Sequence, residues 1–191
     1  MRVEVLSEKE VQVLLTYLEK RPVRDSLIVR LMLQCGLRVG EVSGLNVLDV
    51  WRGGYVHPAV NLPRGTTKGH IARYVDMPEP VRDLVKEHIK SLSNHLDGPV
   101  PASPMFYGDK VRIRLLPGGI GRIVGAVSRD ALDRVIHPHV LRHTFATILM
   151  KYTNMRVVQQ LLGHASISTT QIYTHVSSED CKIAVNQAFN R

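Results

Sequence analysis

The stretch HPHVLRHTFATILMKY, residues 137–152, decides how the rest of the chain is read. Val140, Leu141, Phe145, Ile148 and Leu149 fall on one face of a 3.6-residue period, and Pro138 stands where a first helical turn tolerates its missing N–H. The spacing predicts an amphipathic helix whose apolar side is core. His139 and Arg142, three apart, then share one side near the helix N-terminus, where backbone N–H groups and the macrodipole favour an anion. His139 and His143, four apart, also admit a metal reading. That reading lacks the glutamate expected after the first histidine, since Val140 occupies the place, and no third ligand is evident.

Helical periodicity continues on both sides. Downstream, MRVVQQLLGH predicts a short helix closed by Gly163, ISTTQIYTHV another with Ser166 or Ser168 as cap, and SSEDCKIAVNQAFNR a final one with Cys181, Ala184, Val185 and Ala188 apolar. Upstream, PGGIGRIVGAVSRDAL reads as a glycine-rich helix through Ile120, Ile123, Val124, Val127 and Ala131. Its glycines match neither G-x-G-x-x-G nor the P-loop. LSEKEVQVLLTYLEK opens the chain's first helix, with Ser7 as N-cap and Glu10 completing a capping box. RDSLIVRLMLQCG predicts a second that Gly36 stops. From Val47 to Met77, glycine turns between β-branched and aromatic runs predict two or three strands of a small antiparallel sheet. EPVRDLVKEHIKSL, Glu79 to Leu92, returns to helix, and DGPVPASP at 97–104 reads as a surface loop. The fold class expected is α+β, mainly α.

Of 191 residues, 44% are apolar, enough for one domain with a proper core. The apolar runs are short and the N-terminus has no apolar leader, so no membrane association and a cytoplasmic location are expected. Two cysteines form neither a disulfide framework nor a zinc spacing. There are 25 Lys and Arg against 17 Asp and Glu, a net charge of +8, and arginine outnumbers lysine 17 to 8. Residues 98–178 carry nine basic and three acidic side chains. A basic, arginine-rich balance of this kind points to a polyanion partner.

Four strings carry the chemistry: CGLRVGE at 35–41, TTKGHIARYV at 66–75, HPHVLRHTFA at 137–146 and LLGHASISTTQIYTHV at 161–176. Each alone is a weak signal. In this order and spacing the chain resembles the tyrosine recombinase (phage integrase) family, whose catalytic domain carries G-L-R-x-x-E, a hairpin lysine, H-x-L-R-H, L-G-H and a nucleophilic tyrosine. The resemblance implies an integrase-like catalytic domain over residues 1–191, a small antiparallel sheet on a helical bundle, without the N-terminal core-binding domain of most integrases. It implies Arg38, Lys68, His139, Arg142, His164 and Tyr173 as catalytic residues, with Glu41 holding the region of Arg38. It implies double-stranded DNA as partner, a homotetramer on DNA from a domain that is monomeric alone, and a helix at 177–191 able to dock on a neighbouring protomer through Ile183, Ala184, Val185 and Phe189.

These residue types suit phosphoryl transfer without a metal or other cofactor. Arg38 and Arg142 can fork onto the non-bridging oxygens, with His164 as a further donor. Tyr173, with an ordinary phenol pKa near 10, needs a base, for which His139 is the candidate, and Lys68 can protonate the leaving oxygen. The expected activity is site-specific recombination through a 3′-phosphotyrosyl link. A type IB topoisomerase-like nicking and closing, a DNA-binding regulator with a vestigial site, and a metal-dependent phosphodiesterase are the competing readings.

Overall fold

The computed structural model describes residues 4–63, 72–95, 102–108, 113–163 and 178–189. Helix α1 (Glu8–Leu18) starts as the sequence dictates: the Ser7 hydroxyl accepts from the Glu10 amide at 3.3 Å, and the Ser7 amide donates to the Glu10 carboxylate at 2.8 Å. The Ser7 amide and the Ser7 hydroxyl, both donating to the Glu10 carboxylate, together with Arg134 reaching across the fold, hold the Glu10 carboxyl down at about 2. Helix α2 (Val23–Gln34) is the centre of the molecule, every residue from Asp25 to Gln34 being buried, and it packs against α4 (Glu79–His95) and α6 (Pro138–Leu149). Burial on all sides explains its weak amphipathic pattern. α1 lies on α5 (Pro117–Leu132), the glycine-rich helix, whose Ile120, Val124 and Val127 enter the core.

A short helix, α3 (Val39–Gly44), follows α2 and is absent from the sequence reading. Six residues with two glycines and a serine carry too little periodicity to announce a helix. It forms because Glu41, its third residue, accepts the Arg38 amide at 2.7 Å, and because Arg114 donates to the Ser43 and Leu45 carbonyls at its far end, 2.9 Å each.

The small antiparallel β structure comes as two ribbons: β1 (Trp51–Arg52) with β2 (Tyr55–Val56), and β3 (Ala59–Leu62) with β4 (Arg73–Asp76). Directly opposed residues share a face, so the register Val60↔Val75 and Leu62↔Arg73 turns Arg73 inward with two buried valines and a buried leucine. Tyr74, between them, is 73% exposed.

α7 (Met155–Leu162) is capped by the Asn154 side chain and stopped by Gly163 at φ 61°. α8 (Ser178–Phe189) lies against α6 and α7, with Cys181, Ala184, Val185 and Phe189 in a satellite core around Phe145, Leu149 and Leu161. Ile183, on its other side, is exposed. The helix expected over ISTTQIYTHV lies outside the described residues, as does most of the 97–104 loop. Among the described residues no helix is long and apolar enough to cross a membrane.

Candidate active site

Three of the six residues expected to be catalytic lie in the described structure, and two of them converge on one carboxylate. Glu41 is 1% exposed. Its Oε1 accepts from Arg38 Nη1 at 3.1 Å and Arg73 Nη1 at 2.8 Å; its Oε2 accepts from the Arg38 amide at 2.7 Å and Arg73 Nη2 at 2.9 Å. Arg142 Nη1 stands 3.8 Å from Oε2. Burial works to raise this carboxyl, but the Arg73 hydrogen bonds and charge, the Arg38 amide and the Arg142 charge outweigh it and hold it below the usual carboxylate range.

Arg142 is 6% exposed, on the second turn of α6. Its Nη1 donates to the Gly36 carbonyl, just past the end of α2, and its Nη2 to the Leu162 carbonyl at the end of α7. One guanidinium thus fixes three of the four strings relative to one another. Burial first, then the Arg38 and Arg73 charges, push it down to about 9, with Glu41 opposing. At neutral pH it remains a cation.

Arg38, the N-cap of α3, is the more open of the two, with 20% of its side chain exposed. Among the described residues only one of its terminal nitrogens, Nη1, is engaged by a side chain, that of Glu41. His139, in the first turn of α6, is exposed, its ring 6.4 Å from that of His143. Among the described residues no three His, Cys, Asp or Glu side chains come together as metal ligands would. Lys68, His164 and Tyr173 lie outside the described residues.

Arg73 is the member of the cluster that the sequence pattern did not single out. An arginine beside a tyrosine on a short strand reads as the solvent face, and only a partner 32 residues away, Glu41, reverses that reading. Three guanidinium groups around one carboxylate leave a buried excess of positive charge, which calls for an anion.

A sequence profile of the phage integrase family matches residues 4–180. The chain belongs to the phage integrase family. Tyrosine recombinase XerA of Pyrococcus furiosus is 36% identical over 188 residues, covering 96% of this chain and 61% of its own. Tyrosine recombinase XerC of Listeria monocytogenes is 36% identical over 169 residues, covering 86% and 53%. This integrase-family chain therefore spans between about half and three-fifths of the length of these curated relatives. A crystal structure of XerA recombinase superposes with a TM-score of 0.73 at 32% identity, over 94% of this chain and 62% of that one. XerH site-specific recombinase bound to its difH substrate gives 0.70 at 22% identity, over 93% and 52%, a likeness of fold. The mainly helical integrase-like fold expected from the strings is the fold found.

Proposed function

We propose that this chain is the catalytic part of a site-specific DNA recombinase that breaks and rejoins strands through Tyr173. The observation that carries the reading is the Glu41 cluster, in which Arg38 and Arg142, 104 positions apart in the chain, meet at one place with Arg73, three guanidinium groups against one carboxylate. The family membership supports it, and double-stranded DNA is the partner proposed.

In the step proposed, Arg38 and Arg142 take the non-bridging oxygens of a phosphodiester and stabilise the added charge of the pentavalent transition state, with His164 as a third donor. The Tyr173 phenol oxygen bonds to phosphorus, its proton passing to His139, while the P–O5′ bond breaks and Lys68 supplies the proton that the departing oxygen needs. The 3′-phosphotyrosyl bond keeps the energy of the broken one until a second 5′-hydroxyl reverses the sequence. No cofactor enters this scheme. The location proposed is the cytoplasm. The working assembly is a homotetramer on DNA formed from monomers, in which α8 exchanges the face it lays on its own α6 and α7 for the same surface of a neighbour. Deleting residues 177–191 should then abolish tetramers on DNA in light scattering, and tetramers that survive would remove the exchange.

Covalent trapping tests the chemistry. Incubated with a nicked suicide duplex in EDTA, the protein should give an adduct that migrates slowly on a denaturing gel, and mass spectrometry should map the linked nucleotide to the peptide containing Tyr173. Tyr173→Phe should give none. An adduct on another of the six tyrosines, or one lost to the chelator, would overturn the assignment.

A further inference from the structure

The Glu41 cluster contains one cation more than the proposed chemistry uses. The Arg73 side chain is 8% exposed, and both terminal nitrogens of its guanidinium are committed to Glu41 as a bidentate fork at 2.8 and 2.9 Å. Its Nε is buried with no partner. A group so occupied has no fork to offer a phosphate.

Its position says what it does instead. Arg73 begins β4, so it sits at the C-terminal side of the segment that carries Lys68. Its fork holds the glutamate of α3. Its outer face carries the turn that precedes His164: a Cβ built on Gly163 would lie 2.8 Å from Arg73 Nη1 and 3.0 Å from Cδ, so the glycine backbone rests directly on the guanidinium. Arg142 holds the carbonyl of the preceding residue, Leu162. Two arginines therefore fix the end of α7, one from below and one by hydrogen bond.

Resting on the functional reading above, we infer that Arg73 is a positioning residue for strand cleavage: it occupies the Glu41 carboxylate, which keeps Arg38 and Arg142 available to the phosphate, and it seats the Gly163 turn that leads to His164. Without Arg73, the partners left to the Glu41 oxygens among the described residues are Arg38, from the N-cap of α3, and Arg142, from α6. Arg142 Nη1, now 3.8 Å away, would close on Oε2 and leave Gly36. Both guanidiniums would turn from the substrate towards the carboxylate. Displacements of this size, about 1 Å at the reacting groups, are enough to cost about 100-fold in rate.

The test is single-turnover cleavage of the suicide duplex at saturating DNA, beside DNA affinity and thermal melting, for Arg73→Gln, Arg73→Lys, Glu41→Gln and the Arg73→Gln/Glu41→Gln pair. Arg73→Gln should lose about 10- to 100-fold in rate, with DNA affinity changed less than about threefold. Arg73→Lys should recover part of it, since charge survives and the fork does not. Adding Glu41→Gln to Arg73→Gln should restore rate, because the carboxylate that pulls the catalytic arginines is gone. For the same reason the deficit of Arg73→Gln should shrink as pH falls and Glu41, faced among the described residues by Arg38 and Arg142, takes up a proton. An unchanged rate, a loss matched by lost DNA affinity or folding, or a deficit indifferent to pH and to Glu41→Gln would overturn the inference. If the unsubstituted protein forms no adduct, it is the functional reading that fails. Arg73 is then judged by orthovanadate binding, read as vanadium NMR line broadening. Weaker binding in Arg73→Gln that the double variant regains upholds the inference, and equal binding ends it.

Discussion

Arg142→Lys should lower the strand-cleavage rate at saturating DNA by about 1,000-fold, the upper end of what one lost donor to developing charge costs. The geometry sets the size of the loss. The native guanidinium serves the Gly36 and Leu162 carbonyls with its two terminal nitrogens and still has hydrogens for a phosphate. An ammonium has three donors at one point on a different stem, and cannot span two carbonyls on separate segments while also meeting an oxyanion. The buried carbonyl left without a donor should also cost about 1–3 kcal/mol of stability, seen as a lower urea midpoint. A rate within tenfold of the native one would mean that Arg142 holds the fold and does not meet the phosphate.

The same side chain sets a pH limit. In the free protein burial and the neighbouring Arg38 push the Arg142 guanidinium down to about 9. A phosphate bound against it favours the charged form and raises that value. Binding therefore takes up a proton in the window above about 9, and affinity must fall as pH rises through it. DNA affinity measured at constant salt should be flat from pH 7 to 8 and weaken beyond 9. A flat profile to pH 10 would show that Arg142 stays charged without help.

The helices that bury one long face were legible in the sequence, because three-and-four spacing is a direct image of that burial: α1, α4 and α6 lie where Val11 and Leu14, Val81 and Val85, and Leu141 and Phe145 put them. α3 was not, since a six-residue helix is made by its ends, and the Glu41 and Arg114 contacts that make them come partly from distant segments. The turns between residues 47 and 77 announced β structure, but strands of two and four residues carry no alternation long enough to say that they pair as two ribbons. Of the cluster around Glu41, the residues Arg38, Glu41 and Arg142 stand out in the sequence by motif. Arg73 was hidden by its neighbour: in ARYVD the aromatic residue is the natural choice for the inward face, and the strand does the reverse, burying the arginine on Glu41 and leaving Tyr74 in solvent. Charge pairing across the fold outweighs the local pattern there.

Gly36→Ala should destabilise the protein by about 2–5 kcal/mol, the sum of a left-handed backbone imposed on a β-carbon and an overpacked core. Gly36 has φ 66° and closes α2, with the Leu37 amide donating back to the Leu31 carbonyl at 3.2 Å. A Cβ there would meet Phe145 Cδ1 at 2.3 Å and Cε1 at 2.5 Å, distances that no rotation of the methyl relieves. Phe145 cannot retreat, because its ring stacks on Phe189 of α8, centroids 5.6 Å apart and planes within 8°. The Gly36 carbonyl is also an Arg142 acceptor, so the backbone shift that admits the methyl should slow cleavage as well as lower the urea midpoint. Combining Gly36→Ala with Phe145→Leu separates the two costs: room for the methyl should make the pair less destabilising than the sum of the single changes by about 1 kcal/mol or more, and what remains at Gly36 is the backbone strain of about 1–2 kcal/mol. Strict additivity would mean that Phe145 does not press on this turn.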